Sequence, residues 1–428
     1  MSKKSRHIRK KKFRLLSIGL VIIVGILAAS YAVNGFGNNE QNPVNNQGEE
    51  TKGRDEAVNV PKPSEPEVQP TITVNIKATG DIMFHPSQID GAYNSATNTY
   101  DFHNSFKAVK DIFQTADLTI ANFEGTTAGN EVYAYQGYPL FNAPDEALDA
   151  IKDSGIDVLS TVNNHCLDTR KAGVIRTVQE INKRGMDTVG TYAEKPESRV
   201  LIKDVKGIKI AFLAYTEMVN GLESTMSPED LDAMVNIIDE KKISEDIAYA
   251  KSKNADIIIA CMHWGDEYAR VQAPRQEALA DKLFTQGVDI ILGSHPHVIQ
   301  PAELLEYTGK TKFVAYSMGN FLSNQRIETL EPYGIGEDES KYTEDGVIID
   351  INIEKDGETG ETSIKNVSYM PLWVYKGKTE DGGTEHVVYP IMEYIESSEL
   401  NEKSKARMQR SLSDTTKQMQ SLKMGTAE

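Results

Sequence analysis

Six times along this chain a short apolar run stops abruptly at a polar motif, and helical spacing fills several of the gaps between those runs. Thr71 to Ala78 alternates apolar and polar and leads into Thr79-Gly80-Asp81. Asp117 to Ala121 ends at Asn122-Phe123-Glu124-Gly125, and Asp157 to Thr161 ends at Asn163-Asn164-His165. Asp256 to Cys261 ends at His263-Trp264-Gly265-Asp266, and Lys312 to Tyr316 at Ser317-Met318-Gly319-Asn320. Val288 to Leu292 ends at Gly293-Ser294-His295-Pro296-His297. Runs of this length read as strands, and so does Lys209 to Tyr215. Helices are predicted over Asp145–Asp153, Lys171–Arg184 and Pro274–Gly287, with Pro or Gly as punctuation. Strand–helix alternation with polar strand ends is the layout of an α/β protein whose sites lie at those ends.

His295 and His297 stand one residue apart in a turn just past a strand, which can aim two imidazoles at one point. Pro296 fixes its own φ and removes a backbone donor, so the turn is stiff. Five of the eight histidines sit at or near strand ends beside Asp, Glu or Asn. By chemistry the strand-end residues are Asp81, Glu124, Asn164, His165, His263, His295 and His297. Two carboxylates, an amide oxygen and several imidazoles suit two divalent ions of the Mn, Fe or Zn kind. His85, Asn122 and Asn320 are candidates for supporting positions behind them, although Asn320 reads equally well as a turn residue. His103 and His386 lie outside every motif and read as surface, while Trp264 reads as packing beside the site. Thr308-Gly309-Lys310-Thr311 has the end of a phosphate loop, but Leu304 stands where its first glycine belongs.

Charge is unevenly spread. The first 14 residues hold eight Lys/Arg and no acid, leaving 38 basic against 63 acidic groups, a formal −25, in the remainder. That excludes a nucleic-acid surface, which needs basic stripes. Cys166 and Cys261 are too few for a disulfide framework and read as small buried residues.

Behind the basic segment 1–14, residues 15–33 carry no charge and are just long enough to cross a bilayer as a helix. The positive-inside rule then leaves 1–14 in the cytoplasm and the rest outside, a single-pass protein of the cell membrane. The competing reading is a cleaved signal peptide ending near Ser30-Tyr31-Ala32; both export the domain. Residues 34–70, rich in Asn, Gln, Glu and Pro, read as a disordered stalk. A main domain is expected over 71–375, with Val347–Ile353 and Thr362–Tyr369 as antiparallel strands and Arg326–Gly346 as an acidic surface loop. Residues 376–428 read as a C-terminal extension with a peripheral helix over Asn401–Met424.

The order of these motifs resembles the calcineurin-like metallophosphoesterases. More closely, Thr-Gly-Asp81, Asn122-Phe-Glu124-Gly, Asn163-Asn164-His165, His263-Trp264-Gly265, Gly293-Ser-His295-Pro-His297 and Ser317-Met-Gly-Asn320 resemble the bacterial capsule synthesis family, the poly-γ-glutamate capsule proteins of the CapA type. The resemblance covers roughly residues 72–325. It implies a layered α/β/β/α sandwich and two divalent metal ions. Asp81 and His297 would hold one ion, Asn164, His263 and His295 the other, and Glu124 would bridge them. His165 would be the general acid. The usual Asp-x-His is here Asp81-Ile82-Met83-Phe84-His85, and the bridging acid is a Glu instead of an Asp. The implied function is metal-dependent hydrolysis in the making or export of poly-γ-glutamate or a related anionic polymer, with membrane synthase or export subunits as partners. The alternative is a non-catalytic, metal-stabilised subunit that binds or guides the polymer.

Overall fold

The apolar runs form strands whose ends differ somewhat from the sequence expectation. β1 (Ile72–Ile82), β2 (Leu118–Phe123), β3 (Val158–Ser160) and β4 (Asp187–Val189) lie side by side and parallel. β5 (Leu201–Val205), β6 (Ile208–Thr216), β7 (Ile257–His263), β8 (Ile290–Ser294), β9 (Ala302–Tyr307) and β10 (Lys310–Ala315) make a six-stranded sheet. Its order is β9-β10-β8-β7-β6-β5, parallel inside with antiparallel edges. β11 (Asn320–Leu322) returns to pair with the end of β1. β12 (Asp345–Lys355), β13 (Thr362–Lys378) and β14 (Thr384–Pro390) extend the first sheet, antiparallel, on the other side of β1. The computed structural model describes residues 69–379 and 382–425, so the basic segment, the apolar stretch 15–33 and nearly all of the stalk lie outside the described residues. Among the described residues no helix is long and apolar enough to cross a membrane.

Side-chain alternation sets the layers. Along β6, Ile208, Ile210, Phe212 and Ala214 face the other sheet, where they join Val74, Ile76 and Ala78 of β1 and Val347, Ile349 and Ile351 of β12. The residues between them, Ala211, Leu213 and Tyr215, face outward onto Ile243, Ile247, Leu283 and Phe284 of the helices Glu240–Ser252 and Pro274–Gln286. On the far side, Ala121 and Phe123 of β2 and Leu159 of β3 pack against Phe113, Leu148, Ile151 and Ile181. Helix, sheet, sheet, helix is therefore the layer order, an α/β/β/α sandwich with the apolar core between the sheets.

Two readings need correction. Arg326–Gly346 is no plain surface loop: it folds into short helical turns, among them Ile327–Leu330, Glu337–Ser340 and Lys341–Glu344, and buries Glu344 and Asp345. Charged side chains hide the burial because their partners are remote: the C-terminal helix Glu402–Gln418 brings Arg407 to Glu344 and to Glu328, and Arg410 to Asp345. His386 is buried on β14, where its Nε2 meets Asn324 Oδ1 at 2.9 Å, not on the surface. The edge strands β5 and β9 escape the sequence pattern because only part of each is covered. Thr308-Gly309 forms the tip of the β9–β10 hairpin, with φ of +51° and +78°.

Candidate functional site

Two glycines let the strand ends approach one another. The register of β1 against β2 slips between Thr79 and Asp81, a bulge of the kind that re-aims a strand. A Cβ on Gly80 would lie 1.8 Å from the Gly319 carbonyl oxygen, to which Asp81 N donates at 3.0 Å. A Cβ on Gly293 would lie 2.0 Å from the Tyr316 oxygen. Beyond Gly293 the chain turns sharply: His295 and His297 have φ of +97° and +57°, a region costly for residues with a side chain and often found at functional sites.

All six proposed donors are buried together with His165. Asp81 and Glu124 come from β1 and the end of β2, Asn164 from just past β3, and His263, His295 and His297 from β7 and the turn after β8. Donor atoms of Asp81, Glu124 and His263 lie within 4.8 Å of one another. His297 Nδ1 stands 3.1 Å from Asp81 Oδ2, and its Nε2 stands 3.6 Å from Glu124 Oε1. His263 Nε2 lies 2.8 Å from Asn164 Oδ1 and 3.9 Å from Glu124 Oε2. The His263 and His295 rings meet edge to face at 4.8 Å.

Electrostatically the cluster asks for positive charge. Burial pushes the Glu124 carboxyl well above its ordinary range, and Asp81 adds to this while His297 opposes it. Burial alone would lower His297, yet Glu124 and Asp81 outweigh it and lift the ring to about 10. Burial and the neighbouring imidazoles hold His263 well below its usual value and His295 at about 4, so both offer neutral nitrogens. Glu124 Oε1 and His295 Nδ1 are buried without a hydrogen-bond partner, an expensive state for polar atoms. One Asp, one Glu, an amide oxygen and three neutralisable imidazoles fit divalent cations, and these unpartnered atoms are ones a cation would satisfy.

The supporting positions divide. Asn122 Nδ2 donates to Asp81 Oδ1 at 2.8 Å. Asn320 turns the other way and donates to Gln325 Oε1 and the Thr343 carbonyl. His85 does not bond to Asp81: its Nδ1 meets Gln88 Oε1 at 3.3 Å and accepts from Asn324 N, and burial lowers it to about 3. Trp264 packs against Tyr316 and donates to its carbonyl. Cys166 and Cys261 are free, and burial raises both thiols to about 12. His103 is exposed.

His165 stands apart from the donors. Its Nδ1 lies 2.8 Å from Asp168 Oδ2, which also accepts from Phe141 N at 2.6 Å, and its ring meets Phe141 edge to face at 4.7 Å. Together with His297 it lines a cavity of about 450 Å³. Sequence reading passes over Asp168 and Ser294, whose hydroxyl lies 3.0 Å from His263 Nδ1 and so steadies that ring. The signal for Asp168 is its place three residues after His165 in one turn.

The family described as bacterial capsule synthesis protein PGA_cap matches residues 75–325, more than half of the sequence. The chain belongs to that family. Among its curated relatives, the capsule biosynthesis protein CapA of Bacillus anthracis is 30% identical over 254 residues, covering 58% of this chain and 59% of that one. The PGA biosynthesis protein CapA of Bacillus subtilis (strain 168) is 30% identical over 256 residues, covering 58% and 62%. The chain thus spans about three-fifths of the length of these relatives. Solved structures with a similar course include the NAD nucleotidase NadN of Haemophilus influenzae, 13% identical with a TM-score of 0.41, over 83% of this chain and 64% of that one. The calcineurin-like phosphoesterase YfkN of Bacillus subtilis is 16% identical with a TM-score of 0.37, over 81% and 99%. The matched region 75–325 contains every strand end that converges on the buried cluster.

Proposed function

We propose that this family member is a metal-dependent hydrolase acting in the synthesis or export of poly-γ-glutamate or a related anionic surface polymer, held at the cell membrane by residues 15–33 with its folded part outside. The observation that carries this is the division of labour at the site: six buried donors converge, while His165 faces the adjoining cavity and bonds to Asp168 instead of a donor. Asp81, Glu124, Asn164, His263, His295 and His297 would hold the ions, two in number and of the Mn, Fe or Zn kind. Bound there, they would supply an activated water and neutralise developing negative charge. Asn122 orients Asp81, and Ser294 orients His263. Asp168 engages Nδ1 of His165, which leaves Nε2 as the atom that gives a proton to the departing oxygen or nitrogen as water adds and the ester or amide bond breaks.

A second reading, a non-catalytic metal-stabilised subunit that guides polymer at a membrane synthase, is favoured by His85, which bonds to Gln88 and Asn324 and leaves Asp81 without a second imidazole of the Asp-x-His kind. His165→Ala separates the two. Under the hydrolase reading, metal content and folding stay intact while hydrolysis of a test ester and polymer output fall by about 10²–10⁴-fold. Wild-type output from that variant would leave the guiding subunit. Metal analysis of the purified protein is the parallel measurement, and His103→Ala is the control.

A further inference from the structure

The cavity beside the cluster has a composition at odds with a polyanion. Its walls carry Met83, Leu330 and Ile335 and the rings of Tyr138, Tyr268 and Tyr333. Glu267 brings a carboxylate to the lining, and among the described residues no lysine or arginine is in it. Of the nearby cations, Arg326 lies 3.2 Å from Glu344, and Lys376 donates to Oδ1 of the lining residue Asn324 at 2.8 Å. A polyglutamate strand bears a carboxylate on every residue and would meet here one more carboxylate and, among the described residues, no lysine or arginine to pair with it.

Aromatic and aliphatic walls suit a different guest. Tyr138 and Tyr333 meet edge to face, 5.7 Å apart, although both are largely exposed at 56% and 67%. Such rings offer apolar area with little rotamer freedom to lose. Leu330, Tyr333 and Ile335 all follow residue 325, where the family match stops. This wall therefore lies outside the matched region, and Arg407 fastens its segment through Glu328 and Glu344.

We propose that this cavity is a subsite for an uncharged aromatic or apolar group attached to the anionic centre that the cluster handles. The substrate class is then a monoester or amide with an apolar partner, not an internal stretch of polyanion. Resting on the hydrolase reading, this places the bond to be cut between the donor cluster and the cavity, with His165 facing it. Tyr138, Leu330, Tyr333 and Ile335 are specificity-determining residues.

The test is calorimetric binding of phenylphosphonate against methylphosphonate to the full chain with manganese added. Phenylphosphonate should bind tenfold or more tightly, and Tyr333→Ala and Leu330→Asp should cut the ratio below threefold with bound metal unchanged. Equal affinities in the wild type, or an unchanged ratio in the exposed-site variant Tyr333→Ala, overturn the subsite. So does a γ-linked glutamate oligomer that displaces phenylphosphonate at equal concentration. A protein that favours phenylphosphonate but cleaves no ester supports the subsite and sinks the hydrolase reading. One that cleaves esters but binds both phosphonates alike sinks the subsite alone.

Discussion

His386 lies 3% exposed on β14, its Nε2 against Asn324 Oδ1, and carries no motif that would mark it. Burial, with Lys376 and Arg326 close by, lowers its folded-state pKa to about 2. Below about 6.5 the unfolded chain therefore takes up a proton that the folded chain refuses, and stability is lost as pH falls. Between pH 7 and pH 5 this one ring should remove about 2 kcal/mol, at ~1.4 kcal/mol per unit below 6.5. Urea unfolding of the wild type and His386→Gln at both pH values checks it. The gap between the two proteins should close by that amount on acidification; a constant gap would mean that His386 does not titrate against the fold. The same residue shows why burial is hard to read from sequence. His263, His295 and His297 announce themselves by following apolar runs, whereas the hydrogen-bond partner of His386, Asn324, lies 62 positions away in the sequence.

At the scale of elements, the strands that alternate cleanly and the helices bounded by Pro or Gly are legible in the sequence. Glu146–Asp153, Arg170–Lys183 and Pro274–Gln286 follow the helical expectation closely. Arg326–Gly346 is not legible, because helical turns of three or four residues are too short for a periodicity to show. What holds that segment is the C-terminal helix. Arg407 donates to both oxygens of Glu328 and to Glu344, which is 1% exposed and also accepts from Trp373 Nε1 at 3.0 Å. Removing one partner from a buried pair typically costs about 3–5 kcal/mol. Because Arg326 remains beside Glu344, Arg407→Ala should fall at the low end, about 3 kcal/mol. The loss should be local. Hydrogen exchange across 326–346 should quicken at least tenfold while β7 and β8 exchange as before, and unchanged exchange in 326–346 would refute the fastening role.

For the whole molecule, the family match and the folding unit do not coincide. Residues 75–325 carry every proposed donor, yet β12, β13 and β14 lie beyond them and β12 is the direct neighbour of β1. Val347, Ile349 and Ile351 also fill the core between the sheets. A fragment ending at residue 325 would leave one side of β1 unpaired from Ile72 to Thr79 and that apolar face bare. It should aggregate or give a non-cooperative urea transition by circular dichroism, whereas the chain to residue 428 should unfold in one cooperative step. A cooperative transition from the shorter fragment would show that the matched region folds alone.

The donors also divide by sheet: Asp81, Glu124 and Asn164 stand at or just past strand ends of one, and His263, His295 and His297 at or just past strand ends of the other. Neither half can assemble the set by itself. An ion captured there would work like a rivet that closes only over a finished sandwich, its binding energy added to the docking of the halves. Metal scarcity would then register first as a shortened lifetime of the protein. Pulse–chase turnover with and without a chelator would read this directly, and His263→Ala should be cleared at the metal-starved rate under either condition.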